Sequence, residues 1–363
     1  MKRILFLPLV TFCFFIAQAQ SLHPGFDKEE YKALMKVSAQ FGDSTYRSSL
    51  PAPQGYSLVY NSPVMGLDNK WQLWMTDRSV PVISIRGTTK NAISWLANFY
   101  AAMVPAKGEL RLSESSRFSY QLATNPKASV HTGWLIATAF LVQDMLPKID
   151  SLYKAGRKEI LIVGHSQGGA IAYLLTAYLH NLQRQNLLSP ALRFKTYGSA
   201  APKPGNLYFA YEYEAATQAG WAYNVVNSAD WVPETPVSIQ TLNDFNDVNP
   251  FVNAKELIKK ASFFKRLGLN LAYGKLKNKP IKAADKYRKY LGKYIAGPIK
   301  KALPGFKEPA YAATQDYVRT GNTITLLTDE EYFKRFPQNT PNVFINHLHT
   351  AYLYLLDKLP TNP

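Results

Sequence analysis

Six consecutive residues in the middle of the chain have the types and spacing of a catalytic turn. Gly164-His165-Ser166-Gln167-Gly168-Gly169 follows the apolar run Glu159–Val163 and precedes a long helical stretch. A serine hydroxyl is a weak nucleophile near neutral pH and has to be presented and activated. Glycines on both sides permit a sharp, strained strand-to-helix turn that lifts the hydroxyl above a sheet edge, and they let the helix pack closely behind it. The start of that helix offers backbone N–H groups and a dipole that favour developing negative charge. The chemistry this arrangement suits is attack by Ser166 on a carbonyl carbon.

Such a serine needs an imidazole to take its proton and a carboxylate to orient the imidazole. With a G-x-S-x-G turn, these partners follow the serine in the order Asp or Glu, then His. Asn227-Ser228-Ala229-Asp230 leaves the end of the strand-like run Ala222–Val226, which is where a triad acid belongs. Asp230 is therefore the acid. Asp244 and Asp247, in a more polar loop, are weaker candidates. Of the six histidines, His23, His131, His165 and His180 precede Asp230, so the order leaves His347 and His349. An imidazole of ordinary pKa can accept the serine proton and return it to a leaving group.

The elements that must position these residues alternate between strand and helix. Tyr56 to Tyr60, Lys70 to Thr76, Pro81 to Ile85, Glu159 to Val163, Arg193 to Tyr197 and Ala222 to Val226 read as strands. The apolar runs Val82–Ile85 and Ile160–Val163 suit strands buried on both faces. Lys28 to Phe41 reads as a helix capped by Asp27, Trp134 to Leu152 as one that tolerates Pro147, and Ala170 to Leu187 and Leu348 to Leu359 as two more. The alternation predicts an α/β fold with a mainly parallel central sheet flanked by helices.

Six blocks together resemble the class 3 lipase family, a branch of the α/β-hydrolases. They are Arg86-Gly87-Thr88, Val130-His131-Thr132-Gly133-Trp134, the Gly164–Gly169 turn, Pro202-Lys203-Pro204-Gly205-Asn206, Asp230-Trp231-Val232-Pro233 and His349-Thr350-Ala351-Tyr352. They stand in the family's order. The resemblance implies an α/β-hydrolase fold with Ser166 as nucleophile, Asp230 as acid and His349 as base, because the closing H-x-x-Y pattern selects His349 over His347. It further implies oxyanion-hole donors at Thr88 and Gln167, and neither metal nor organic cofactor. Lipid esters are the implied substrates. His131, His165 and Arg86 are expected to be structural. The spacing after Tyr197 and the long gap between Asp230 and His349 depart from the family. The gap leaves the substrate class open, since loops at sheet ends shape the pocket. Asn91 to Val104 follows the oxyanion residue, where the family carries a lid; an ordinary core helix fits it as well.

Composition sets limits on the rest. The 363 residues are 47% hydrophobic and 18% charged, which excludes a disordered or low-complexity chain. Lys2 and Arg3, the apolar run Ile4 to Ile16 and Ala17-Gln18-Ala19 read as a cleaved signal peptide over residues 1–19, predicting a secreted or periplasmic protein. The one cysteine, Cys13, lies within it, so the mature chain has no disulfide and no cysteine-held metal. Residues 20–363 then form the hydrolase, with a mainly helical cationic insertion at 240–310. Lys255 to Lys307 holds 14 Lys and 2 Arg against Glu256 and Asp285. Apolar and aromatic residues alternate with these lysines, which suits either a solvated cap or an anionic membrane surface. No nucleic-acid motif is present. The chain is expected to be a lipase-like serine ester hydrolase acting through an acyl-enzyme on Ser166. The alternatives are a phospholipase A-type enzyme, an esterase for polysaccharide or aromatic esters, and an idle lipid-binding hydrolase fold.

Overall fold

A computed structural model describes residues 22–360; the signal-peptide reading of residues 1–19 lies outside them. A seven-stranded sheet is built from β1 (Tyr56–Asn61), β2 (Trp71–Thr76), β3 (Pro81–Ile85), β4 (Glu159–His165), β5 (Arg193–Ser199), β6 (Ala222–Asn227) and β7 (Asn322–Leu326). Neighbours in space are neighbours in sequence throughout this sheet. β1, β2 and β3 pair antiparallel, and from β3 to β7 every pairing is parallel. The mainly parallel central sheet expected from the sequence is the one found.

The period-2 alternation of strand side chains divides the core into two. Ile83, Ile85, Ile160, Ile162 and Phe194 belong to one cluster. Their neighbours Val82, Leu161 and Val163, with Tyr197 and Val225, belong to the other. Helices α2 (Ala92–Phe99), α3 (Thr132–Lys154) and α4 (Gln167–Arg184) add side chains to the first cluster. α1 (Lys28–Ala39), and a helix spanning His349–Lys358, add theirs to the second. Asp27 caps α1 through a bond from the Glu30 amide at 2.9 Å. α3 runs unbroken through Pro147, and α4 begins at Gln167, three residues before the expected start. β7 was not foreseen: Asn322-Thr323-Ile324-Thr325-Leu326 is a largely exposed edge strand with only one buried side chain.

The segment after β6 holds a run of helices: Ala254–Lys259, α5 (Phe263–Arg288), a π-helical turn Lys289–Tyr294 and α6 (Ile295–Ala302). The closing helix His349–Lys358 is α7. Among the described residues no helix is long and apolar enough to cross a membrane.

Candidate active site

The turn at Ser166 has the strain its sequence implies. Ser166 has φ +61° and ψ −133°, outside the regions a side-chain-bearing residue ordinarily adopts. Its amide donates to Ser199 O at 2.9 Å, and its carbonyl accepts from Gly169 N at 2.9 Å. A Cβ on Gly164 would lie 2.1 Å from Gly168 O, and one on Gly168 2.2 Å from Ile85 O. The glycines are needed because backbone meets backbone there. Ser166 stays partly accessible between buried neighbours, and its hydroxyl has no protein partner among the described residues.

Asp230 follows β6 as expected. Asn227 holds that corner: its Oδ1 accepts from Ala229 N at 3.0 Å, its carbonyl accepts from Asp230 N at 3.0 Å, and its Nδ2 donates to Asn346 O at 2.8 Å. Asn227 thus ties the acid's turn to the chain segment that carries the two histidines. The Asp230 carboxylate is fully buried and accepts three hydrogen bonds: from His347 Nδ1 at 2.7 Å, Tyr352 OH at 2.8 Å and Val232 N at 3.0 Å.

The histidine on Asp230 is therefore His347, and the expectation for His349 is corrected. His347 ends a 3-10 turn, Ile345–His347, and keeps Nε2 free of protein partners among the described residues. His349 opens α7, and both its ring nitrogens are engaged elsewhere. Nδ1 lies 2.9 Å from Tyr46 OH, and Nε2 lies 3.2 Å from Ser38 Oγ. Burial, and then the neighbouring His347, push the His349 pKa down to about 3. A ring so held cannot approach Asp230 and is a poor proton acceptor. The H-x-x-Y spacing pointed to His349, but Tyr352 serves the site by donating to the acid.

His165 links the nucleophile turn to this histidine. Its Nε2 bonds the His347 carbonyl at 2.8 Å, and its ring centroid lies 4.8 Å from that of His347. Its Nδ1 lies 3.1 Å from Ser199 Oγ, which in turn lies 2.7 Å from Tyr31 OH. Burial, with His349 and His347 beside it, holds its pKa well below the usual value. His165 thus stays neutral and fixes the backbone of His347 against the residue before Ser166.

Thr88 and Gln167 flank the serine from two chain segments. Gly87 approaches the turn so closely that a Cβ there would lie 2.9 Å from His165 O. Thr88 Oγ1 accepts from Asn98 Nδ2 at 2.9 Å. Asn98 is fixed in turn: its carbonyl bonds His131 Nε2 at 3.1 Å and its Oδ1 accepts from Trp134 Nε1 at 3.0 Å. Gln167 sits at the first position of α4, where a backbone N–H has no intrahelical acceptor. Its side chain meets Ser94 twice, each contact at 3.4 Å. Arg86 is structural, bonding Asp68 Oδ1 at 3.0 Å and the Asp68 carbonyl at 2.6 Å.

Residues 82–239, which contain the serine turn, Asp230, Thr88 and Gln167, match the model of the lipase (class 3) family. Over that segment the chain is similar to the class 3 lipases. The family is one of carboxylic ester hydrolases, and the chain falls in that enzyme class. Among the curated proteins no sequence matches significantly. Solved structures give distant likenesses. A fungal lipase–inhibitor complex is 20% identical, with 58% of this chain and 74% of that one covered and a TM-score of 0.45. The Rhizomucor miehei triacylglyceride lipase is 18% identical over 59% and 77%, with a TM-score of 0.44. Lipase II from Rhizopus niveus is 20% identical over 58% and 74%, with a TM-score of 0.41.

Aromatic rings from three chain segments lie beside His347. In α2, Trp95 lies 6.1 Å from Phe344 between ring centroids; Phe344 lies 5.4 Å from Trp231 and 6.0 Å from His347. Trp231 and Phe99 are 41% and 52% exposed, so part of this apolar surface faces solvent. α2 therefore touches both Thr88 and Gln167, and it reaches the loop that carries His347. Trp95 and Phe99 lie in the Asn91–Val104 run and Trp231 in the Asp230 block, but the meeting of Trp95 and Trp231 with Phe344 was not legible, because it depends on three distant segments. No group of three or more metal-ligating side chains occurs among the described residues.

Proposed function

We propose that the protein hydrolyses carboxylic esters of lipids through an acyl-enzyme on Ser166, with His347 as base and Asp230 as orienting acid. The observation that carries this is the 2.7 Å contact of His347 Nδ1 with the buried Asp230 carboxylate, in a segment that His165, the residue before the strained Ser166, holds through the His347 carbonyl. Asp230 keeps the proton on Nδ1, so Nε2 is the basic nitrogen. Nε2 takes the hydroxyl proton as Ser166 Oγ bonds to the ester carbon. The carbonyl π pair moves onto oxygen, and the resulting oxyanion is held by the backbone N–H groups of Thr88 and Gln167. The alkoxide leaves with the proton from Nε2. Water then repeats the sequence on the acyl-enzyme, releasing the acid and restoring the serine.

Acylglycerols are the favoured substrates and phospholipids the second choice. The Trp95, Phe344 and Trp231 rings beside His347 favour one further reading, an esterase for aromatic acyl groups. We propose further that residues 1–19 direct export and are removed, leaving residues 20–363 as the hydrolase with the 240–310 segment inserted. The N-terminal residue of the exported product should then be Gln20. The test of the reaction is acyl release by the purified protein from a triacylglycerol emulsion, phospholipid vesicles and soluble aryl esters, with Ser166→Ala as blank. Turnover lost by about 10³-fold or more in the variant supports the reading. Turnover equal in both would overturn it, and binding without turnover would indicate an idle lipid-binding fold.

A further inference from the structure

Outside the catalytic centre, the feature with the most unspent surface is the helical segment after β6. Phe263, Phe264, Leu267 and Leu271 follow one another at i, i+1, i+4 and i+8 along α5, which places them on one side of the helix. They are 65%, 84%, 65% and 62% exposed. Lys259, Lys260, Lys265 and Arg266 flank the two phenylalanines. Of the 16 cations between Lys255 and Lys307, only Arg288 and Lys300 are in ion pairs among the described residues. An apolar stripe bordered by unpaired lysines is the composition of a helix that lies in a charged lipid interface. A second copy of the chain is a poor occupant, since two such segments repel each other.

The other end of the segment is fixed to the body. Ala296, Ile299, Leu303 and Phe306 are buried in the same core cluster as Tyr100. Ala102 N donates to Leu291 O at 3.2 Å, and Arg288 Nη1 donates to Ala312 O at 3.2 Å. At Gly292 a Cβ would lie 2.9 Å from Ala102 Cβ, so the π-helical turn sits directly against the chain that follows α2. α6 packs on α2 itself, the helix that touches Thr88, Gln167 and Phe344.

We infer that residues 254–288 are a docking arm for an anionic lipid surface, with Phe263 and Phe264 entering the headgroup boundary and the flanking lysines meeting the headgroup charge. The arm is carried on the same foot as α2, so a surface that holds the arm also holds the site's framing helix beside it. The inference rests on the lipid reading of the site for its purpose, but its test does not need turnover.

The test is vesicle cosedimentation of the full chain carrying Ser166→Ala, which cannot hydrolyse the probe. Vesicles of phosphatidylcholine alone are compared with vesicles containing about 30% phosphatidylglycerol, at low and high salt. The expected result is binding to the anionic vesicles at least about tenfold stronger than to the neutral ones, weakened by salt. The double variant Phe263→Ser, Phe264→Ser should lose most of it. Lys259→Glu with Lys260→Glu should lose the charge preference. All these positions are solvent-exposed, and an unchanged melting curve with unchanged soluble-ester turnover, in the Ser166 background, shows that the variants fold. Equal binding to both vesicle types, or full binding by the double phenylalanine variant, overturns the inference. So does binding to an acidic protein or polymer without binding to the vesicles. Failure of Ser166→Ala to abolish turnover would sink the catalytic reading while leaving the vesicle result intact.

Discussion

Two histidines two residues apart have opposite duties, and the contrast can be tested directly. His347 keeps one nitrogen on Asp230 and leaves the other free; His349 spends both on Tyr46 and Ser38. Replacing His347 by Ala should lower kcat by about 10³-fold or more. His349→Gln, which can still bond both hydroxyls, should leave kcat within about tenfold; equal losses in the two variants would refute the assignment. Tyr352→Phe removes one of three donors from a buried carboxylate and should cost about tenfold in kcat and about 1–3 kcal/mol of stability, read from ester turnover and denaturant unfolding. Ser166 and Asp230 could be named as candidates from motif and chain order, and Thr88 and Gln167 only from the family resemblance. The choice between His347 and His349 could not, because it depends on where α7 starts. Leu348 is extended between a 3-10 turn and a helix, and no spacing rule records which neighbour then meets the acid.

At the scale of elements, close approaches between backbones do the positioning. A Cβ on Gly133, near the start of α3, would lie 1.9 Å from Ala97 O in α2. The next residue, Asn98, holds Thr88. Gly133→Ala should therefore push α2 off α3, cost about 1–3 kcal/mol and lower ester turnover more than the stability loss explains. Thermal unfolding and activity on a soluble ester, measured together well below the melting temperature, would separate the two effects. Normal turnover in a folded Gly133→Ala protein would show that α2 does not place Thr88. The buried strands β3 and β4 were legible as apolar runs, and so was α1 from its cap. β7 was not, since an exposed edge strand carries polar residues that read equally well as loop. The aromatic frame of Trp95, Phe344 and Trp231 was illegible for a different reason: each residue is ordinary in its own segment.

Across the whole molecule, buried neutral imidazoles set the acid limit. Burial pushes His131 and His349 down to about 3 and holds His165 well below its usual value. In the unfolded chain each titrates near 6.5. Below that pH the unfolded state binds protons that the folded state refuses. Stability is thus complete above about 6.5 and falls as pH drops toward 3. The completely buried His131 alone contributes a slope of up to about 1.4 kcal/mol per pH unit in that window. Melting temperatures between about pH 7 and 5 should fall accordingly, and His349→Gln should flatten the decline. A melting temperature that rises on acidification would contradict the buried neutral state.

The sheet's order in space is its order in the chain. A polypeptide that emerges N-terminus first can lay each strand from β2 to β6 beside one already placed. The long excursion through the cationic helices comes only after β6, and β7 and the His347 turn arrive after that. On the proposed roles, the chain acquires its nucleophile first, its acid next and its base last. From Ser199 to His347 the growing chain carries a serine turn with no base beside it, and the proposed ester cleavage stays off until that last segment is in place.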